Sequence, residues 1–150
     1  MFKNRTFKLL ALITAIALLG LTACSGKKVA DSNDFIERME AKEYQVSDQS
    51  DVISIPGIRE SYVAEKEGIR IEFSIFDNNI EAEEYYKTAR EVLENITMSD
   101  LEIVDRDDSY CVKTPSGYYF VEVDKDHTIY SAGESTKADE AIKCIKALGY

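Results

Sequence analysis

The chain is poor in the residues that most often carry chemistry. It has one histidine, His127, and three cysteines, Cys24, Cys111 and Cys144. One imidazole and the two cysteines beyond Cys24 cannot make a tetrahedral zinc site unaided. It contains no Gly-rich phosphate loop, HExxH, CxxC or GxSxG. Cations are also scarce, with 18 Lys+Arg against 28 Asp+Glu. No apolar run is long enough to span a bilayer, which needs ~20 residues. The longest candidate, residues 9–19, is interrupted only by Thr14 and then gives way to Gly20.

That run does have a recognisable setting. Lys3, Arg5 and Lys8 precede it without an acid, and small residues follow it. A basic start, a short apolar core and a small-residue site form the secretory signal pattern. The segment closes on Leu21-Thr22-Ala23-Cys24. This motif resembles the lipobox of bacterial lipoprotein precursors, and the resemblance covers the first 24 residues. It implies a diacylglyceryl group on the Cys24 thiol and cleavage between Ala23 and Cys24. Two acyl chains hold a protein where one gives only marginal binding. The expected location is the cell envelope, lipid-anchored on the outer side of the bacterial cytoplasmic membrane. The expected organisation is a signal peptide over 1–23, a lipidated cysteine and tether over 24–32, and a single domain over 33–150.

Three of the 18 cations lie in the signal segment, so 15 remain against 28 acids, a net charge of −13. A domain so charged repels nucleic acid and anionic lipid head groups. The membrane partner is therefore met through acyl chains. An acidic surface otherwise serves solubility.

The spacing of apolar residues predicts mixed structure. Residues 34–43 read as a helix with a capping box at Asp34-x-x-Glu37. Residues 44–47 read as a short strand. Residues 60–64 and 68–76 read as a hairpin, and Ile69, Ile71, Phe73 and Ile75 alternate with polar residues. Asn78-x-x-Glu81 opens the clearest helix. Its predicted inner face is Ala82, Tyr85, Tyr86, Ala89, Val92, Leu93 and Ile96. Strands follow at 101–104, 110–113, 118–123 and 128–132, with Thr114-Pro115-Ser116-Gly117 as a turn. Thr136-x-x-Asp139 offers a cap for a last helix, lined by Ala138, Ala141, Ile142, Ile145 and Leu148. The expected fold is α+β, an antiparallel β-sheet with two to three helices packed on one face.

A shift of 56 residues aligns Phe73 with Ile129, Ala82 with Ala138, and Val92 with Leu148. This suggests a tandem strands-then-helix duplication with pseudo-two-fold symmetry. Binary patterning produces such matches without duplication, and both readings stand at this stage.

The candidate sites are few. His127 sits beside Asp124 and Asp126 in a predicted turn, where an imidazole is usually polar filler. Asp100, Asp105, Asp107 and Asp108 form an acidic cluster that lacks the EF-hand framework, so no metal or cofactor is expected. Tyr118, Tyr119 and Phe120 make both faces of one strand aromatic. With Tyr110 and Tyr130 they form a candidate binding surface, because exposed aromatic patches mark interfaces. Burial on both faces is the alternative. An extracytoplasmic disulfide between Cys111 and Cys144 is permitted, with two buried thiols as its alternative.

Beyond the lipobox the chain resembles no family of known function. The function it best suits is a non-enzymatic binding or interaction module in the envelope, its protein or small-molecule partner unnamed. An envelope hydrolase using the Asp100–Asp108 carboxylates, or an accessory subunit of an envelope complex, are the alternatives.

Overall fold

The computed structural model describes residues 30–150. Cys24 and the expected signal peptide over 1–23 lie outside the described residues.

Helix α1 spans Ser32–Glu40 and buries Phe35 and Met39. Its cap is Asp31, whose carboxylate accepts the Asp34 N–H at 2.9 Å. The helix therefore begins one residue after Asp31, and Asp34 lies inside its first turn. Strands β1 (Gln45–Asp48), β2 (Ile58–Lys66) and β3 (Ile69–Phe76) follow. Glu67 and Gly68 join β2 to β3 with φ of 43° and 80°. Two consecutive positive φ values define the two-residue hairpin turn that suits twisted strands.

Helix α2 spans Asn79–Glu94. The Asn78 side chain caps it, accepting from the Ile80 and Glu81 amides at 3.0 and 3.1 Å. Four strands then run as a meander: β4 (Glu102–Asp105), β5 (Ser109–Lys113), β6 (Gly117–Asp124) and β7 (His127–Glu134). Helix α3 spans Ala138–Leu148. A 3₁₀ turn, Ser135–Lys137, leads into it without a side-chain cap, so Thr136 does not cap the helix.

The seven strands form one antiparallel sheet in the order β1-β2-β3-β7-β6-β5-β4. The fold is α+β. The helices do not share one face, however. Successive residues of a strand point to opposite faces. On β6, Tyr118 and Phe120 join a core with Phe35 and Met39 of α1 and Ile145 of α3. Tyr119, Val121 and Val123 join a second core with Tyr86 and Leu93 of α2. Helices α1 and α3 cover one face, and α2 covers the other. The cause lies in β5 and β6, which are apolar on both sides and need two covers.

The same arrangement decides the duplication. Phe73 and Ile129, 56 residues apart, are direct partners between β3 and β7. Ile71 faces Ser131, and Ile75 faces His127. A two-fold axis exchanging these antiparallel neighbours stands normal to the sheet and preserves its faces. Helices α2 and α3 lie on opposite faces, so they break that symmetry. Residues 53–57, the counterpart of β5, form no strand.

Two helix faces are also rotated from expectation. Val92 is 64% exposed on α2, while Ala82, Tyr86 and Leu93 are buried. On α3, Cys144 is buried and Ile142 is only partly covered.

Candidate functional site

Helices α1 and α3 do not cover their whole face of the sheet. Helix α1 packs on β1 and β2, and α3 packs on β7 and on α1. Beyond α3, toward the edge strand, the sheet is left as a cleft of about 610 Å³. Its apolar lining is Val104, Cys111, Phe120, Ile142 and Tyr150. Strand pairing places Val104 beside Cys111, and Cys111 beside Phe120, so these three form a row across β4, β5 and β6. Ile142 and Tyr150 supply the opposite wall.

Six charged residues also line the cleft: Arg106, Lys113, Lys146, Asp108, Glu122 and Asp139. They are not equivalent. Lys113 Nζ lies 3.2 Å from Asp139 and 3.9 Å from Glu102. The hydrogen bond to Asp139 raises its pKa, against a smaller opposing effect of burial. Arg106 and Lys146 are exposed and form no ion pair with a described residue. Tyr150 is buried, and its hydroxyl has no hydrogen-bond partner among the described residues. Burial, then the charges of Asp124, Glu122 and Asp126, push its pKa upward, so the hydroxyl keeps its proton. Burial likewise raises the Cys111 thiol, offset in part by Lys113.

Two other hollows differ in kind. One of about 670 Å³ lies around the β2–β3 turn and contains Lys66 and Arg70. Its cations are committed, with Arg70 2.8 Å from Glu65, and Lys66 donating to the Lys42 carbonyl at 2.8 Å. Another, of about 370 Å³, is lined by Tyr86, Lys87, Asp107, Asp108, Asp124 and Lys125 among others. It is small and largely charged.

The aromatic residues singled out in the sequence do not form a surface. Tyr118 is wholly buried, and Tyr110 and Phe120 are 5% and 7% exposed. Tyr119 and Tyr130 are partly covered and pack in the core beneath α2. Both faces of β6 have a cover, so the doubled aromatic pattern reports two cores. Only Phe120 contributes to the cleft. Replacing Tyr118 with Ser would empty a core position, an operation that costs ~3–5 kcal/mol for comparable aromatic truncations.

Cys111 and Cys144 are free, buried thiols rather than a disulfide. Cys144 Sγ lies 3.8 Å from the Tyr44 hydroxyl. His127 Nδ1 lies 2.9 Å from Asp126, and its ring packs 5.6 Å from Phe73. The acidic cluster is dispersed. Asp105 pairs with Arg90 at 2.8 Å, and Asp107 and Asp108 line the small charged hollow.

The cleft itself was not legible in the sequence. The available signals were Ile142, an apolar residue that α3 leaves partly uncovered, and Val104, an exposed apolar residue of the edge strand β4.

No family model matches the chain, and no curated protein matches it. Among solved structures it is similar to a GTP binding regulator from Thermotoga maritima. That pair shares 13% identity over 76% of this chain and 83% of the other, with a TM-score of 0.46. It is also similar to the extracellular domain of PknH from Mycobacterium tuberculosis, at 10% identity over 80% of this chain and 92% of the other, with a TM-score of 0.43. At these scores neither protein's role carries over to this chain. No described helix is long and apolar enough to cross a membrane.

Proposed function

We propose that the chain is an envelope lipoprotein, acylated on Cys24, that acts as a non-enzymatic binding module through the α3–β4-β5-β6 cleft. The cleft is the observation that carries the reading. It combines an apolar floor with two cations that have no described partner, on a chain rich in acid. Its volume of about 610 Å³ falls within the ~300–1,000 Å³ of ligand sites.

The attachment sets its position. Five residues, 25–29, lie between Cys24 and Ala30, a span of six Cα steps. An extended chain spans at most ~3.3–3.6 Å per residue, which keeps Ala30 within about 20 Å of the acylated cysteine. The Ala30 N–H donates to the Leu148 carbonyl at 3.0 Å. The C-terminal end of α3 is thereby held toward the bilayer, together with Lys146 and Tyr150.

Two measurements in intact cells test the reading. Metabolic labelling with a fatty-acid analogue should mark the wild-type chain and miss Cys24→Ala. A photo-reactive residue at position 142 should yield crosslinked adducts by mass spectrometry, and one at Val92 on the opposite face should not. An unlabelled wild type removes the anchor. Absence of adducts at 142 removes the cleft.

A further inference from the structure

We propose that the cleft takes an amphipathic carboxylic acid, its carboxylate held by Arg106 and Lys146 and its apolar body on Phe120, Ile142 and Cys111. The inference rests on the cleft being the binding site, and it adds the chemistry of the ligand.

The head group follows from which charges are already spent. Lys113 is engaged by Asp139 and Glu102, at 3.2 and 3.9 Å. Arg106 and Lys146 line the same cleft and have no described partner. A guanidinium presents parallel N–H donors that match the two oxygens of a carboxylate. The Lys146 ammonium, in the same lining, adds a second positive charge.

Asp108 and Glu122 stand in the same lining as Arg106 and Lys146, so the head-group end of the cleft is of mixed charge. The charge product scales repulsion and attraction alike, and the choice of a carboxylate rests on the match of its two oxygens to the guanidinium.

The apolar body follows from the floor. Phe120 and Cys111 are core residues, 7% and 4% exposed, that line the floor of the cleft. Val104 is 41% exposed at the rim, and Ile142 is partly exposed on the opposite wall. A purely ionic ligand would leave this surface wet. An apolar group attached to the carboxylate would cover it, and burial of apolar area is the main source of affinity in such sites.

Three probes of one shape separate the contributions: 4-phenylbutanoate, 4-phenylbutanol and 4-phenylbutylamine. They are titrated into the full chain in maltoside detergent, with the Ile142 methyl groups ¹³C-labelled. The expected result is a saturable Ile142 shift with the carboxylate at least about tenfold tighter than the alcohol, the scale of one charged hydrogen-bonded contact. The amine should bind most weakly. R106Q/K146Q should bring the carboxylate down to the alcohol's affinity and leave the alcohol unchanged. Equal affinity for carboxylate and alcohol overturns the proposal, as does preference for the amine or a carboxylate preference that survives R106Q/K146Q. Failure of all three probes to move Ile142 overturns it as well. The in-cell crosslink at position 142 separates the two levels. If adducts form there without a carboxylate preference, the site stands and the ligand class falls. If adducts are absent, both fall.

Discussion

The Tyr118 hydroxyl lies 2.9 Å from Ser131 Oγ in the core beneath α1 and α3. Ser131 Oγ donates its single hydrogen to the Arg70 carbonyl, also at 2.9 Å. Tyr118 must therefore be the donor to Ser131. The chain of bonds ties β6 through β7 to β3, three adjacent strands at the centre of the sheet. The direction of donation makes the two ends unequal. Tyr118→Phe removes a donor and leaves Ser131 still bonded, at a cost of about 1 kcal/mol. Ser131→Ala leaves a wholly buried phenol without an acceptor, at a cost of ~1–3 kcal/mol. Urea denaturation of both variants should rank Ser131→Ala as the less stable. The reverse order would mean that the hydroxyl directions are otherwise.

Gly133 sits where β7 passes the β2–β3 turn, and its φ is unremarkable. The space around it is what requires glycine. A Cβ there would fall 2.2 Å from the Gly68 carbonyl oxygen and 2.9 Å from Tyr118 Cε1. The first contact is with backbone and cannot be relieved by a side-chain rotation. The second pushes on the ring whose hydroxyl anchors Ser131. Gly133→Ala should therefore cost ~1–3 kcal/mol, as overpacking does in a filled core. A melting temperature equal to wild type would show that the turn can move away.

The caps of α1 and α2 give a local test. Asn78 accepts two backbone N–H bonds at the start of the 16-residue α2. Asn78→Ala should destabilise by about 1 kcal/mol, and Asn78→Gly by a few tenths. Asp31→Ala removes the single bond to Asp34 and should cost no more than Asn78→Ala. Thr136→Ala should be close to neutral, since the 3₁₀ turn there uses no side-chain cap. A cost above about 1 kcal/mol at Thr136 would restore the capping role that its sequence spacing suggested.

What the sequence revealed follows from the range of the forces involved. Strand β3 was legible because Ile69, Ile71, Phe73 and Ile75 alternate, and a period of two is a local property. The start of α2 was legible because Asn78 acts on amides two and three residues away. The face each helix would cover was not, because that choice depends on strands far along the chain. Tyr118 and Tyr119 looked like one core residue and one surface residue only while all helices were placed together. Once α2 takes the second face, both find cover. The cleft escaped for a related reason. Cys111, Phe120 and Ile142 each read as core, and nothing local says that α3 stops short of β4.

Alkaline titration tests the buried phenols together. Burial is the leading cause that raises the pKa of Tyr44, Tyr85, Tyr86, Tyr118, Tyr130 and Tyr150 above the ordinary value near 10. It raises Cys111 above its ordinary value near 9. In each case the folded state holds its proton more tightly than the unfolded chain does. Below about pH 8 both states are protonated, so these groups add almost no pH dependence. Above that the unfolded chain loses protons that the folded chain keeps, and stability falls as pH rises. Each group that ionises only on unfolding contributes a slope of about 1.4 kcal/mol per pH unit. Urea midpoints should thus fall little between pH 7.5 and 8.5 and more steeply between pH 9.5 and 11. Tyrosinate absorbance should lag behind a free-tyrosine titration, then rise together with loss of circular dichroism. Full ionisation of nine phenols with the native signal intact would contradict the burial assigned to these side chains.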